Sequence, residues 1–340
     1  MHVFVSGATG FIGYHTVRAL LDAGHTVRLG VRNPGKMDAL NDPLGIDTSD
    51  HVVGEITDED AINRALDGVD GVVHTAAMVS LDANKADLIF ETNVNGTRLV
   101  VGGAAERGLQ SIIHVSSVTA LYDPLAPVLD ESLPPAQQTT PYGRSKAAAE
   151  EYVRTLISDG ANIAITYPAT VLGPDDPAMS EGSQGLAIFY NYAFMRTSSG
   201  MQVIDVRDLA EIHVRLLEEE KSGPYVVGGH YRSWEEVGLA MERVTGRRLR
   251  KINAPGWLVR QSGAMMDIAG RFVSIETPAT GEGTQYATQW VVADDRKVRE
   301  ELGFYFRPLE ETLADTTRWL AEEGHIKPRW AEKLDQFRSR

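Results

Sequence analysis

Tyr142 and Lys146 stand four residues apart in the stretch Thr140-Pro141-Tyr142-Gly143-Arg144-Ser145-Lys146-Ala147-Ala148-Ala149-Glu150. Thr140 can cap a helix, Pro141 fits its first turn and the alanine run sustains it, so the pair shares one helix face. An ammonium group beside a phenol favours the phenolate and lowers the tyrosine pKa. Tyr142 is thus a candidate proton donor and acceptor near neutral pH. A Tyr-x-x-x-Lys match standing alone is more often a half-buried tyrosine beside a solvated lysine. Its weight depends on the elements around it.

A second chemical motif opens the chain. His2-Val3-Phe4-Val5-Ser6 is a short apolar run suited to a buried parallel strand. Gly7-Ala8-Thr9-Gly10-Phe11-Ile12-Gly13 follows and starts a helical pattern that runs to Ala23. Gly7, Gly10 and Gly13 permit a tight turn, close approach of a pyrophosphate to the backbone, and close helix–strand packing. The N–H groups of the helix start would face the phosphates. The spacing is Gly-x-x-Gly-x-x-Gly rather than Gly-x-Gly-x-x-Gly, and its place between a strand and a helix is what points to a dinucleotide. An acid about 20 residues further on would hold the ribose hydroxyls of NAD. The chain instead has Gly30-Val31-Arg32-Asn33-Pro34-Gly35-Lys36. Arg32 and Lys36 would attract a 2′-phosphate that an acid would repel. NADP(H) is therefore expected in preference to NAD(H).

These groups need a sheet to hold them. Residues 26–31 read as a second strand and 51–55 as a third. A fourth, 71–77, ends in small residues, a fifth, 111–115, ends at Ser116-Ser117, and a sixth covers 163–167. Helices are expected over 57–66, from about 86 to 107, and from Pro141, with a proline-rich loop over 123–139. This alternation predicts an α/β fold built on a doubly wound parallel sheet. Ligands of such sheets sit beyond the carboxyl ends of the strands, the edge on which Gly7, Arg32, Thr75 and Ser117 fall.

Composition removes several classes. The 340 residues suit a large α/β domain with a smaller one appended. A formal net charge of -14 argues against nonspecific nucleic-acid or anionic-membrane binding. With no cysteine, disulfides, thiol catalysis and cysteine-ligated metals are excluded. The nine histidines show no metal-type spacing, and no metal site is expected. His74 and His114 lie inside apolar strands and read as packed core residues. No apolar run approaches the roughly 18 residues that span a bilayer, and no charged leader precedes the first strand. A cytoplasmic protein is the expectation.

With these motifs in place, the chain resembles the extended short-chain dehydrogenase/reductases. Gly7–Gly13 is similar to that family's glycine motif, and Val73-His74-Thr75-Ala76-Ala77 to its Val-His-x-Ala-Ala strand end. Asn93-Val94-Asn95-Gly96-Thr97 resembles its Asn-Val-x-Gly-Thr, and Val115-Ser116-Ser117 its serine strand. Pro141-Tyr142-Gly143-Arg144-Ser145-Lys146 resembles its catalytic helix. Pro168-Ala169-Thr170-Val171-Leu172-Gly173-Pro174, Val206-Arg207-Asp208-Leu209-Ala210 and the stretch 295–304 continue the match in family order. Gly24-His25-Thr26-Val27-Arg28-Leu29-Gly30-Val31-Arg32-Asn33-Pro34 is closest to the dihydroflavonol reductase and cinnamoyl-CoA reductase branch, typically NADPH-dependent. Two departures stand out. Tyr167 occupies a position where the family often has arginine, and Glu55 one where an adenine-contacting aspartate is usual.

The resemblance implies a Rossmann-type unit over 1–168 plus about 203–222. It implies a smaller, mostly C-terminal α/β substrate unit over about 169–202 and 223–340. It makes Tyr142 the general acid in reduction, Lys146 the group that lowers its pKa and holds the nicotinamide ribose, and Ser117 the donor to the substrate oxygen, with Ser116 the fallback. Asn93 is either a supporting residue or a structural helix amide. Cofactor contacts are implied at Gly7, Thr9, Gly10, Phe11, Ile12, Gly13, Arg32, Lys36, Glu55, Ile56, Thr75, Ala76, Ala77, Asn93, Tyr142 and Lys146. Tyr167, Pro168, Thr170 and Val171 complete that set. A homodimer through the Asn93 and Tyr142 helices is the family expectation.

In the second half, Leu186, Ile188, Phe189, Tyr190, Tyr192, Phe194 and Met195 form one apolar series. Trp257, Leu258, Met265, Met266 and Phe272 form another. They suit either the lining of a pocket for a flat apolar substrate or the core of that unit. The leading functional expectation is an NADP(H)-dependent reductase of a ketone or aldehyde on an apolar or aromatic small molecule. The alternatives are a nucleotide-sugar epimerase or dehydratase that retains its cofactor, and a noncatalytic NADP-sensing protein.

Overall fold

The computed structural model describes residues 1–37, 46–79, 85–137, 140–270 and 281–337; Phe272 lies outside them. The strands are β1 (His2–Ser6), β2 (Thr26–Val31), β3 (His51–Val53), β4 (Gly71–His74), β5 (Ser111–Val115) and β6 (Ile163–Pro168), then β7 (Thr170–Leu172), β8 (Phe194–Arg196), β9 (Gly200–Asp205), β10 (Gly223–Val227), β11 (His230–Ser233) and β12 (Lys251–Asn253). The helices are α1 (Phe11–Asp22), α2 (Glu59–Leu66), α3 (Ala86–Phe90), α4 (Gly103–Glu106), α5 (Pro141–Ser158) and α6 (Glu181–Asn191), then α7 (Val206–Glu218), α8 (Trp234–Thr245), α9 (Gly256–Gly270), α10 (Gly281–Thr288), α11 (Arg296–Glu301) and α12 (Leu309–Glu322). Between α3 and α4 the chain stays helical through two π-helical turns, Glu91–Asn95 and Arg98–Gly102. Among the described residues no helix is long and apolar enough to cross a membrane.

Seven strands form one parallel sheet in the order β10-β6-β5-β4-β1-β2-β3. Its inner strands are apolar on both faces because helices cover both. Val3, Val5, Val73 and Ile113 pack with Val17, Leu20, Leu209 and Ile212 of α1 and α7. Phe4, Val72, Ile112 and Ile165 face the other way, towards Ile62, Val100 and Val153. The two-residue alternation of a strand accounts for this division. The sheet is a Rossmann-like α/β fold with all seven strands running the same way.

The boundaries differ from those expected at two places. β9, including residues 203–205, pairs with β7 and β11 in a separate three-stranded sheet. β10, beyond the expected limit at 222, pairs in parallel with β6 as the seventh strand of the large sheet. α7 packs along α1 and against β5 on the face of the sheet, and the chain that leaves it returns alongside β6 as a parallel strand. Residues 206–227 therefore belong to the large sheet. The third strand also ends at Val53 rather than at residue 55.

The second unit has its own core, in which Leu186, Tyr190, Phe194, Trp234, Met241 and Leu313 are buried together. Phe189 meets Phe194 and Trp234 edge-on at ring separations of 4.8 and 5.7 Å. Leu186, Phe189, Tyr190 and Phe194 of the first apolar series are thus core, whereas Ile188 and Tyr192 are exposed.

Asp205 joins the two units where β9 gives way to α7. Its buried carboxylate accepts from the Arg207 guanidinium at 2.9 and 2.8 Å and from the Thr312 hydroxyl of α12 at 2.8 Å. Arg207 reaches on to Asp315 at 2.7 Å, and Arg307 pairs with Asp208. Removing one member of such a group leaves a buried charge uncompensated. Asp205→Ala is expected to lower stability by about 3–5 kcal/mol in urea denaturation. Thr312→Val, which removes one hydrogen bond, should cost about 1 kcal/mol; equal costs would contradict this account.

Candidate active site

Helix α5 starts as the sequence requires. The Thr140 hydroxyl accepts from the Gly143 N–H at 3.1 Å, and Pro141 occupies the first turn, where no N–H is needed. One turn in, Lys146 is 5 % exposed and donates from Nζ to the Val115 carbonyl at the end of β5, at 3.1 Å. That bond ties the helix to the strand end, two residues from Ser117. Burial lowers the Lys146 pKa to about 8, and the Glu150 carboxylate opposes the fall. Tyr142, one turn earlier on the same helix face, is half-buried.

Ser117 is also half-buried. Its hydroxyl accepts from the Thr119 N–H at 3.2 Å, donates to the Thr119 hydroxyl at 3.1 Å, and so caps the turn Val118–Leu121. Ser116 is buried, and its hydroxyl has no partner among the described residues. Asn93 lies in the first π-helical turn. Its amide donates to the Met78 carbonyl at 3.1 Å and to the Ser145 hydroxyl at 2.8 Å, and its oxygen accepts from the Met78 N–H at 2.7 Å. Ser145 in turn donates to the Tyr142 carbonyl at 2.7 Å. Asn93 thus anchors the loop after β4 to the first turn of α5.

The glycine loop leaves β1 beside these residues. Gly7 has φ +72°, a region that favours glycine. A Cβ on Gly7 would lie 2.9 Å from the backbone of Ala76, and one on Gly13 would lie 2.1 Å from the Gly7 carbonyl oxygen. Gly10 caps α1, and no acidic residue occupies the first turn of that helix. A side-chain-free loop at the positive end of a helix fits a pyrophosphate. Thr75 holds the neighbouring strand end by donating from its hydroxyl to the Ser6 carbonyl at 2.7 Å, and Ala76 and Ala77 follow. The phenyl ring of Phe11 is buried against His15, while Thr9 and Ile12 are half-buried.

Arg32 and Lys36 are exposed just beyond β2, which runs beside β1 with Ser6 opposite Gly30. The Asn33 side chain accepts from Gly35 N–H at 3.0 Å and shapes the turn between them. Glu55 is exposed, and Ile56 packs against Gly96. Pro168 ends β6, while Thr170 and Val171 lie in β7, paired with β9. The Tyr167 side chain is fully buried and donates its hydroxyl to Glu150, with Arg154 3.0 Å away.

His74 and His114 are buried and stacked at 5.6 Å, and burial pushes the His74 pKa down to about 3. His74 bonds to the Ser6 hydroxyl at 2.7 Å. They are packed neutral rings beneath Lys146. Among the described residues no group of three histidines, aspartates or glutamates could hold a metal ion.

Two features were not anticipated from the sequence. Tyr122, which ends the turn capped by Ser117, meets Tyr286 of α10 edge-on at 4.6 Å and donates to the Gln289 carbonyl at 2.8 Å. Tyr286 in turn meets Trp290 edge-on at 6.4 Å. Trp257 and Met265 stand 58 % and 70 % exposed on α9. The other is the Glu150–Arg154–Tyr167 group, for which the four-residue spacing from Lys146 was the available signal.

The NAD dependent epimerase/dehydratase family matches residues 3–228. The chain belongs to that family. Its relatives include a Synechocystis sp. protein provisionally named dihydroflavonol 4-reductase, 29% identical, with 95% of this chain and 96% of that protein covered. Cinnamoyl-CoA reductase 1 of Arabidopsis thaliana is 28% identical, with 96% and 91% covered. The crystal structure of gox2253 is similar with a TM-score of 0.79 at 28% identity, covering 96% of this chain and 99% of that one. The protein is thus a nicotinamide-dependent enzyme of the extended short-chain dehydrogenase/reductase type, acting on CH–OH and C=O groups.

A lysine with a folded-state pKa of about 8 against an ordinary 10.5 destabilises the fold wherever the unfolded chain is charged. The cost is full below about pH 8 and fades as the pH rises towards 10.5. Lys146→Met removes that cost but also the bond to the Val115 carbonyl, so relative to the unsubstituted chain it should be more stable at pH 7 than at pH 10 by about 1–3 kcal/mol, and turnover should be abolished. Denaturation curves at the two pH values check this; a difference of the opposite sign would contradict it.

Proposed function

We propose that this protein is an NADP(H)-dependent reductase of a ketone or aldehyde on a fairly apolar small molecule. The observation that carries the reading is the buried Lys146, bonded to the strand end that leads to Ser117 and set one turn from Tyr142. A bound nicotinamide would supply the hydride. Tyr142 would donate its proton to the developing alkoxide, and the Lys146 charge would stabilise the phenolate left behind. Ser117 would hydrogen-bond the same oxygen, turning its hydroxyl from Thr119. Gly7, Gly10 and Gly13 would hold the pyrophosphate, and Asn93 would keep α5 in register with the loop after β4.

NADP(H) over NAD(H) is supported by Arg32 and Lys36, both exposed at the end of β2 with no carboxylate between them. An apolar substrate is supported by Tyr286, which meets Tyr122 at the end of the turn after Ser117, by Trp290 edge-on to Tyr286, and by the names of the reductase relatives. A homodimer is supported by Leu88 and Phe90, exposed on α3 beside α5.

Tyr142→Phe is expected to retain cofactor binding and lose turnover by several orders of magnitude, measured by fluorescence titration and nicotinamide absorbance; retention of most activity would sink the assignment. Arg32→Asp should shift the ratio of kcat/KM for NADPH over NADH by about tenfold or more towards NADH. An unchanged ratio would remove Arg32 from the phosphate site.

A further inference from the structure

The face of α5 that carries Tyr142 and Lys146 continues at the same spacing to Glu150 and Arg154. Glu150 is 0 % exposed. Its Oε1 accepts from Arg154 Nε at 2.7 Å and from the Tyr167 hydroxyl, while Oε2 is buried with no hydrogen-bond partner. Tyr167 stands at the end of β6, next to the β5 strand whose Val115 carbonyl holds Lys146. A buried carboxylate with one oxygen unsatisfied is costly, and its clamp fixes it in place one turn beyond a buried ammonium group.

We propose that Glu150 is a positioning residue for the Tyr142–Lys146 pair: its buried carboxylate supplies the counter-charge that keeps Lys146 protonated, and Arg154 and Tyr167 hold that carboxylate in place. This rests on the reductase reading for its function but not for its electrostatics. Lys146 and Glu150 are not in direct contact, so the effect acts through the low-dielectric interior. The field of Glu150 already opposes the fall in the Lys146 pKa caused by burial. Tyr167 fits this role where an arginine would not. It adds a donor to the carboxylate without adding a second cation beside Arg154.

Other titratable groups surround the pair. His74 and His114, on β4 and β5, are held neutral by burial. Tyr142 shares the helix face. On the helical run packed against α5, Asp87, Glu91 and Arg98 are exposed and screened by solvent, and Lys85 stands half-buried at its start. Glu150 is the anion that faces Lys146 from within the fold.

The test is a pH titration of the full chain with lysine labelled with ¹³C at Cε, the Lys146 resonance being assigned by its loss in Lys146→Arg. Glu150→Gln should lower the Lys146 midpoint by about half to one pH unit. Tyr167→Phe keeps the charge and should leave the midpoint in place while lowering the melting temperature. Arg154→Gln leaves the carboxylate less compensated and should raise the midpoint, which keeps the test open if Glu150→Gln does not fold. An unmoved midpoint in Glu150→Gln, or an equal shift in Tyr167→Phe, would overturn the proposal. The alkaline limb of carbonyl turnover should move with the midpoint. A midpoint that moves without that limb supports the counter-charge and overturns the role given to Lys146 in reduction.

Discussion

An ammonium group held at 5 % exposure inside an acidic chain is an expensive arrangement. Lys146 persists there because several elements converge on it. The end of β5 offers a carbonyl, α5 brings the side chain in at the right height, and Glu150 lies a turn deeper on the same helix face. If the helix slipped by one residue, the lysine would face elsewhere and Tyr142 would leave the strand end. Thr140 and Pro141 at the helix start, and Asn93 through Ser145 in its first turn, fix that register. A charge excluded from water acts on a neighbouring phenol far more strongly than one in solvent.

The parallel sheet brings the remaining groups to the same edge. β1, β4 and β5 lie side by side, so the glycine loop, the Thr75–Ala77 segment and Ser117 emerge together. Contact among them is close enough that glycine is required: Gly7 rests on Ala76, and Gly13 on the carbonyl of Gly7. Across this edge lies the second unit, held by Asp205, Arg207 and Thr312 and presenting Tyr286 beside Tyr122. The strand ends of the large sheet are lined by backbone and small residues, whereas Tyr122 and Tyr286 meet as aromatic rings where the second unit approaches.

Much of this was legible in the residues. Six of the seven strands of the large sheet follow from short apolar runs, and the cap at Thr140 from local chemistry. The strand at 223–227 was not, because Gly223-Pro224-Tyr225-Val226-Val227 carries an ordinary apolar pattern whose partner is decided by how α7 packs. The direction of Tyr167 was hidden for a similar reason: strand alternation gives its face, but only the helix packed there reveals Glu150 and Arg154. Likewise Tyr286 lies 164 residues beyond Tyr122, and no periodicity connects them. Local geometry could be read from neighbours in sequence, whereas long-range pairing needed the fold.

The central claim is net reduction of a carbonyl by a nicotinamide carrying a 2′-phosphate. It is tested most directly by following nicotinamide absorbance with NADPH and then NADH against aromatic ketones, aldehydes, dihydroflavonols and nucleotide sugars, with product analysis. The account predicts stoichiometric loss of NADPH, faster than of NADH, on a carbonyl compound with an apolar body. Conversion of a nucleotide sugar with no net loss of cofactor would contradict it and make the protein an epimerase or dehydratase.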